Sequence, residues 1–201
     1  MRVATTSFLG AILVGVFVAV APVPASAEAT CAEAQKQIHA WIEANAANLP
    51  TKLKDMNQHP MAYRKAIFAT LSAEQKAALW QEHIRNYVEE RPRLSASQAI
   101  AIEMARSLFT PEFFRNPGDA SSAAAEAAVF EAFGADEARA ILATLGSVEA
   151  PNEGPPTLAP FCQCSRESPY CGSFYCRAGG CTKQSGCGTG WSHECDGLCG
   201  T

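Results

Sequence analysis

Residues 162–201 read CQCSRESPYCGSFYCRAGGCTKQSGCGTGWSHECDGLCGT and hold eight of the nine cysteines in the 201-residue chain. A unit of about 40 residues buries too little apolar surface to hold a fold by its core alone. An even set of eight cysteines therefore predicts four disulfides, formed among Cys162, Cys164, Cys171, Cys176, Cys181, Cys187, Cys195 and Cys199. The spacing leaves their pairing open, except that Cys162 and Cys164 stand too close to be partners. Zinc is the rival use of such residues, but no Cys-x2-Cys pair occurs and His193 is the only histidine of the segment. No metal or other cofactor is expected.

Immediately upstream, Pro151-Asn152-Glu153-Gly154-Pro155-Pro156 and Pro160 mark a linker over 147–161. Pro-rich linkers are extended and semi-rigid, and exposed ones are preferred sites of nicking.

Before the linker, residues 28–146 read as a multi-helix domain. Apolar residues recur at helical spacing in Ile38, Trp41 and Ile42, in Tyr63, Ile67, Phe68 and Leu71, and in Ala77, Trp80, Ile84, Tyr87 and Val88. Ser72 with Gln75, and Ser95 with Gln98, have the spacing of capping boxes. The second box opens a helix with Ile100, Met104 and Leu108 as its expected inward stripe. Thr110-Pro111 starts a short helix docked by Phe113 and Phe114. An Ala-rich helix burying Val129, Phe130 and Phe133 follows. The last helix starts near Asp136, with Ile141, Leu142 and Leu145 inward and Gly146 as its C-cap. No segment alternates polar and apolar residues as a half-buried strand does. The expected fold class is thus all-α: five to seven short helices in a small domain, followed by a small disulfide-rich C-terminal domain.

The N-terminus has Arg2, the apolar run Phe8–Ala21 and Ala25-Ser26-Ala27, which is the pattern of a signal peptide cleaved after Ala27. Export to a secreted or periplasmic location agrees with the cysteine usage. No later segment is long and apolar enough to span a membrane, so stable insertion after signal removal is not expected. Residues 28–161 carry 12 basic and 17 acidic side chains, while 162–201 carry three of each. Nucleic-acid binders need a basic patch or stripe, so that class is excluded as a partner.

Cys31 falls outside the even set. An unpaired cysteine in an exported chain predicts a Cys31-linked homodimer, a free thiol or a bridge to the C-terminal segment, and a buried inert thiol is the plain alternative. His39, His59 and His83 form no His-Glu-x-x-His pair, and no Gly-x-Ser-x-Gly elbow or Gly-rich phosphate loop occurs. No catalytic residues are assigned and no enzyme is expected. Phe174, Tyr175 and Trp191 are large side chains on a scaffold with little interior, so they either cover the disulfides or serve as contact anchors for a protein or cell-surface target.

Cys162-Gln163-Cys164-Ser165, Tyr170-Cys171, Gly186-Cys187-Gly188-Thr189-Gly190-Trp191 and Cys195-Asp196-Gly197 resemble the bacteriocin fulvocin C-related proteins. The helical part is similar to that family too, in Met61-Ala62-Tyr63-Arg64 to Leu71, Leu79-Trp80 and Leu94-Ser95. The last cysteines depart from the bacteriocin, since three residues separate Cys195 from Cys199 where the peptide has a closer pair. The resemblance implies an exported precursor whose cysteine-rich tail is an antibacterial peptide and whose helical part is a pro-region. A secreted or periplasmic interaction protein, with a stapled binding module and no killing activity, is the alternative. Membrane-active peptides generally use basic residues to reach anionic lipid, and this tail is net neutral, which favours a specific surface target over lysis.

Overall fold

The computed structural model describes residues 31–91, 93–117, 121–147 and 161–200. The expected signal peptide, and all of the expected linker except residues 147 and 161, lie outside the described residues. Eight α-helices are found among them: α1 (Cys31–Ala44), α2 (Leu53–Met56), α3 (Met61–Thr70), α4 (Ala73–Glu89), α5 (Ala96–Leu108), α6 (Pro111–Arg115), α7 (Ser121–Phe133) and α8 (Ala135–Leu142). Both capping boxes form. Ser72 and Ser95 each accept the backbone N–H three residues on, and Gln75 and Gln98 each reach back to the cap. Thr110 caps α6 through its side chain, ahead of Pro111 at the first helical position.

The core gathers on α4, which buries Ala77, Leu79, Trp80, His83, Ile84 and Tyr87. Around it stand Ile67 and Phe68 of α3, Phe109 between α5 and α6, Phe113 of α6, Val129 of α7, and Ile141 and Leu142 of α8. Trp80 stacks on Phe109 with ring centroids 4.7 Å apart.

Two helical expectations need correction, and one element is new. On α5 the buried residues are Ala101, Ile102, Ala105 and Leu108, while Ile100 is 63% exposed. Small residues let α5 approach the Ala-rich α7, which turns the face by about one position and leaves Ile100 outside. The chain leaves α8 at Ala143, and Gly146 lies three residues further on. Gly146 has φ +83° and packs so closely on the Asn57 side chain that a Cβ would collide with it. Leu53–Met56 also forms a turn of helix that the pattern did not announce, closing Leu53 and Met56 into the core.

The class itself is mostly helical, not purely all-α. The cysteine-rich segment contains β1 (Tyr175–Ala178), β2 (Gln184–Cys187), β3 (His193–Cys195) and β4 (Gly197–Gly200). β1 pairs antiparallel with β4, and β2 with β3, as two separate two-stranded sheets. These strands were invisible as pattern because disulfides, not an alternating apolar face, hold them. The β2–β3 register shifts at Gly186, whose φ of +93° permits the bulge. Two-stranded sheets are marginal by themselves in water, so they depend on the bridges and on the helices beneath.

Candidate functional site

Every bridge closes within the cysteine-rich segment. Cys162 pairs with Cys181, Cys164 with Cys176, Cys171 with Cys199, and Cys187 with Cys195. Opposite one another across β1 and β4, Cys176 and Cys199 each bond elsewhere, so the bridges tie the sheet to the loops before it. The sulfurs of Cys164, Cys171 and Cys176 lie within 4.8 Å of one another, the one cluster of metal-ligating type among the described residues. All three are oxidised, and a metal ligand is a thiolate, so this cluster holds cystines and not an ion. The Cys31 side chain lies outside the described residues.

Trp191 needs correction as an exposed anchor. It is 4% exposed and belongs to the helical core. Its backbone has φ +58°, directly after Gly190 at φ +64°. Both are left-handed, a conformation that costs a bulky residue energy. That turn drives the indole between the helices, where it meets Phe68 edge-on at 5.4 Å and Trp80 at 6.3 Å. Its N–H donates to the Ala143 carbonyl at 2.9 Å. Gly190 itself sits on Phe109 and Phe113, and a Cβ there would fall within 3 Å of both rings.

A second attachment is a chain of hydroxyls. Tyr170 is buried, stacks on Phe130 of α7 at 5.4 Å and donates to Thr189 Oγ1 at 2.6 Å. Thr189 in turn donates to Glu126 Oε1 of α7 at 2.6 Å. Burial pushes the Tyr170 phenol up, which keeps it a donor. The Thr189 backbone N–H is taken by Ser168 Oγ at 3.1 Å.

The third is Lys65 of α3, 8% exposed, with Nζ 3.5 Å from Sγ of both Cys187 and Cys195. At the segment's outer loop, Arg166 pairs with Asp196 at 2.7 Å, and the hydrogen bonds it donates hold the Asp196 carboxyl below its usual range. Two aromatics face outward nearby: Phe174 is 54% and Tyr175 73% exposed. They flank a recess of about 220 Å³ with Arg166, Pro169, Tyr170 and Phe130.

The histidines stand apart in role. His83 Nε2 faces the Ala140 carbonyl at 2.9 Å, Nδ1 accepts from the Gly146 N–H, and burial lowers its pKa and keeps it neutral. His59 lies beside the Trp41 ring, and His39 is exposed. Sequence reasoning missed Lys65 and Glu126. Lys65 stands three residues before Phe68, on the same helical face as an apolar anchor, and that spacing was its only signal. No family model, no curated protein and no solved structure matches this chain.

Proposed function

We propose that the chain is an exported bacteriocin-like precursor, in which residues 162–201 are an antibacterial unit and the helical part is a pro-region that restrains it. The reading is supported above all by the closed disulfide set: each bridge joins two residues of 162–199. A cut in the Pro-rich stretch 147–161 then parts the two pieces without breaking a bridge. Parting them also uncovers Trp191 and Tyr170, large aromatics of the type that anchor interfaces. The helices hide those side chains in the uncut chain, as a restraining pro-region would. No helix among the described residues is long and apolar enough to cross a membrane. With a net-neutral segment, the target is a specific molecule of the bacterial surface, and the action is non-enzymatic. The test compares growth inhibition by uncut protein with protein nicked in 147–161. Inhibition by the nicked form alone supports the reading, and inhibition by neither counts against it.

A second reading is an interaction protein of the exported type that works uncut and kills nothing. Its specific support is that Phe174 and Tyr175 are exposed while Trp191 remains locked in the core. Capture of a partner by intact protein, lost on Phe174→Ser and Tyr175→Ser, would favour it.

A further inference from the structure

The Lys65 ammonium is held by poor partners. Disulfide sulfurs are weak acceptors, and the Trp191 ring, its centroid 6.0 Å away, offers only its π face. A buried ammonium is ordinarily matched by a carboxylate, and among the described residues none pairs with Lys65. Burial first, and the Arg139 charge second, hold its pKa down to about 8, so the side chain still carries its charge at neutral pH. The fold thus keeps a cation in place at a net cost, and a buried, poorly matched charge that borders a cleft is a candidate binding group.

The same side chain lines a cleft of about 510 Å³ where α1, α3 and α4 meet the β2–β3 hairpin. Lys76, Lys183, His39, Ser185 and Ser192 also line it. Among the described residues Glu194 is its one carboxylate, and Lys183 takes it at 2.8 Å. Lys76 reaches only the Ala69 carbonyl, at 3.4 Å, and the Phe68 ring, at 5.4 Å. Two lysines therefore border the cleft with no carboxylate between them.

We propose that this cleft binds a phosphate group, with Lys65 at its floor, Lys76 at its rim and the hydroxyl of Ser185 as a further donor; the Ser192 hydroxyl is spent on the Thr189 carbonyl. Phosphate oxygens give the ammonium groups the charged acceptors that sulfur and π faces do not. The apolar wall of Phe68 and Trp191 suits an organic moiety carrying that phosphate. The group can arrive on a free phosphate ester or on a phospholipid headgroup, and the two sources are separable.

The experiment titrates the full-length oxidised protein with glycerol 3-phosphate by calorimetry, and with phosphatidylglycerol vesicles by co-sedimentation. Saturable binding on either arm is expected, weakened at least about tenfold by Lys65→Met and about threefold by Lys76→Gln, since the latter side chain is partly solvated. Binding on the vesicle arm alone assigns the phosphate to lipid. The near-ultraviolet circular dichroism of Trp191 reports whether Lys65→Met keeps its fold, and if it does not, Lys76→Gln alone decides. No saturable binding on either arm overturns the proposal. So does binding that a folded Lys65→Met, or in its absence Lys76→Gln, leaves unchanged.

Discussion

The indole N–H of Trp191 donates to the carbonyl of Ala143, the C-cap residue of α8. Carbonyls at a helix C-terminus have no partner within the helix, so a side chain of the cysteine-rich segment finishes an element of the helical part. The same indole fills the space between Phe68 and Trp80. Removing the segment therefore leaves both an open carbonyl and an open apolar slot.

Trp191→Ala is expected to lower stability by about 3–5 kcal/mol, the usual cost of emptying a large aromatic site. Trp191→Phe keeps most of the packing and loses the bond to Ala143, for about 1–2 kcal/mol. Trp80 makes a control: its indole N–H is buried without an acceptor among the described residues. Trp80→Phe removes that unpaired donor, which offsets part of its packing loss. Denaturant unfolding of the two Phe variants should thus show the smaller loss per lost ring volume at position 80.

The bridges set a second expectation. Peptide mapping without reduction should recover the pairs 162–181, 164–176, 171–199 and 187–195. Replacing Cys171 and Cys199 together by Ala, which opens the widest loop, should cost about 2–4 kcal/mol. A mapped pair joining the segment to Cys31 would contradict the closed set.

The pH behaviour of Lys65 has a definite sign. Its pKa is about 8 when folded and near 10.5 when unfolded, so between those values the unfolded chain binds more protons and stability rises with pH. Burying the charged form costs roughly 3 kcal/mol below pH 8 on this shift. Lys65→Met should therefore be as stable as wild type or more so at pH 7, with the gap closing as pH climbs from 8 toward 10. Thermal unfolding of both proteins across that range measures it. An unchanging gap would mean that the ammonium is solvated.

Phe174→Ser with Tyr175→Ser should leave unfolding within about 0.5 kcal/mol of wild type, because both rings face solvent. Any loss of partner capture or growth inhibition in this variant then reports a lost contact, not a lost fold.

The helical half was legible because its signals are local. Ser72–Gln75, Ser95–Gln98 and Thr110-Pro111 each carry their cap within four residues, and Trp80 and Ile84 repeat at helical spacing. Ile100 misled because its burial depends on how closely α7 approaches, which no window on α5 records. The cysteine count was legible and the pairing was not, since bridges such as Cys171–Cys199 join residues 28 positions apart. The segment alone has too little core to bury Trp191, so its sequence leaves the ring either covering the disulfides or serving as a contact anchor, and neither is its place. The helices supply that core, through contacts that cross the whole chain.

The proposed release of the stapled segment from a helical pro-region is read by mass spectrometry of the culture medium. Release predicts a fragment that begins within 147–161, ends with the cysteine-rich segment and gains eight hydrogens on reduction. Finding only chains that still carry both the helical part and the segment would contradict it.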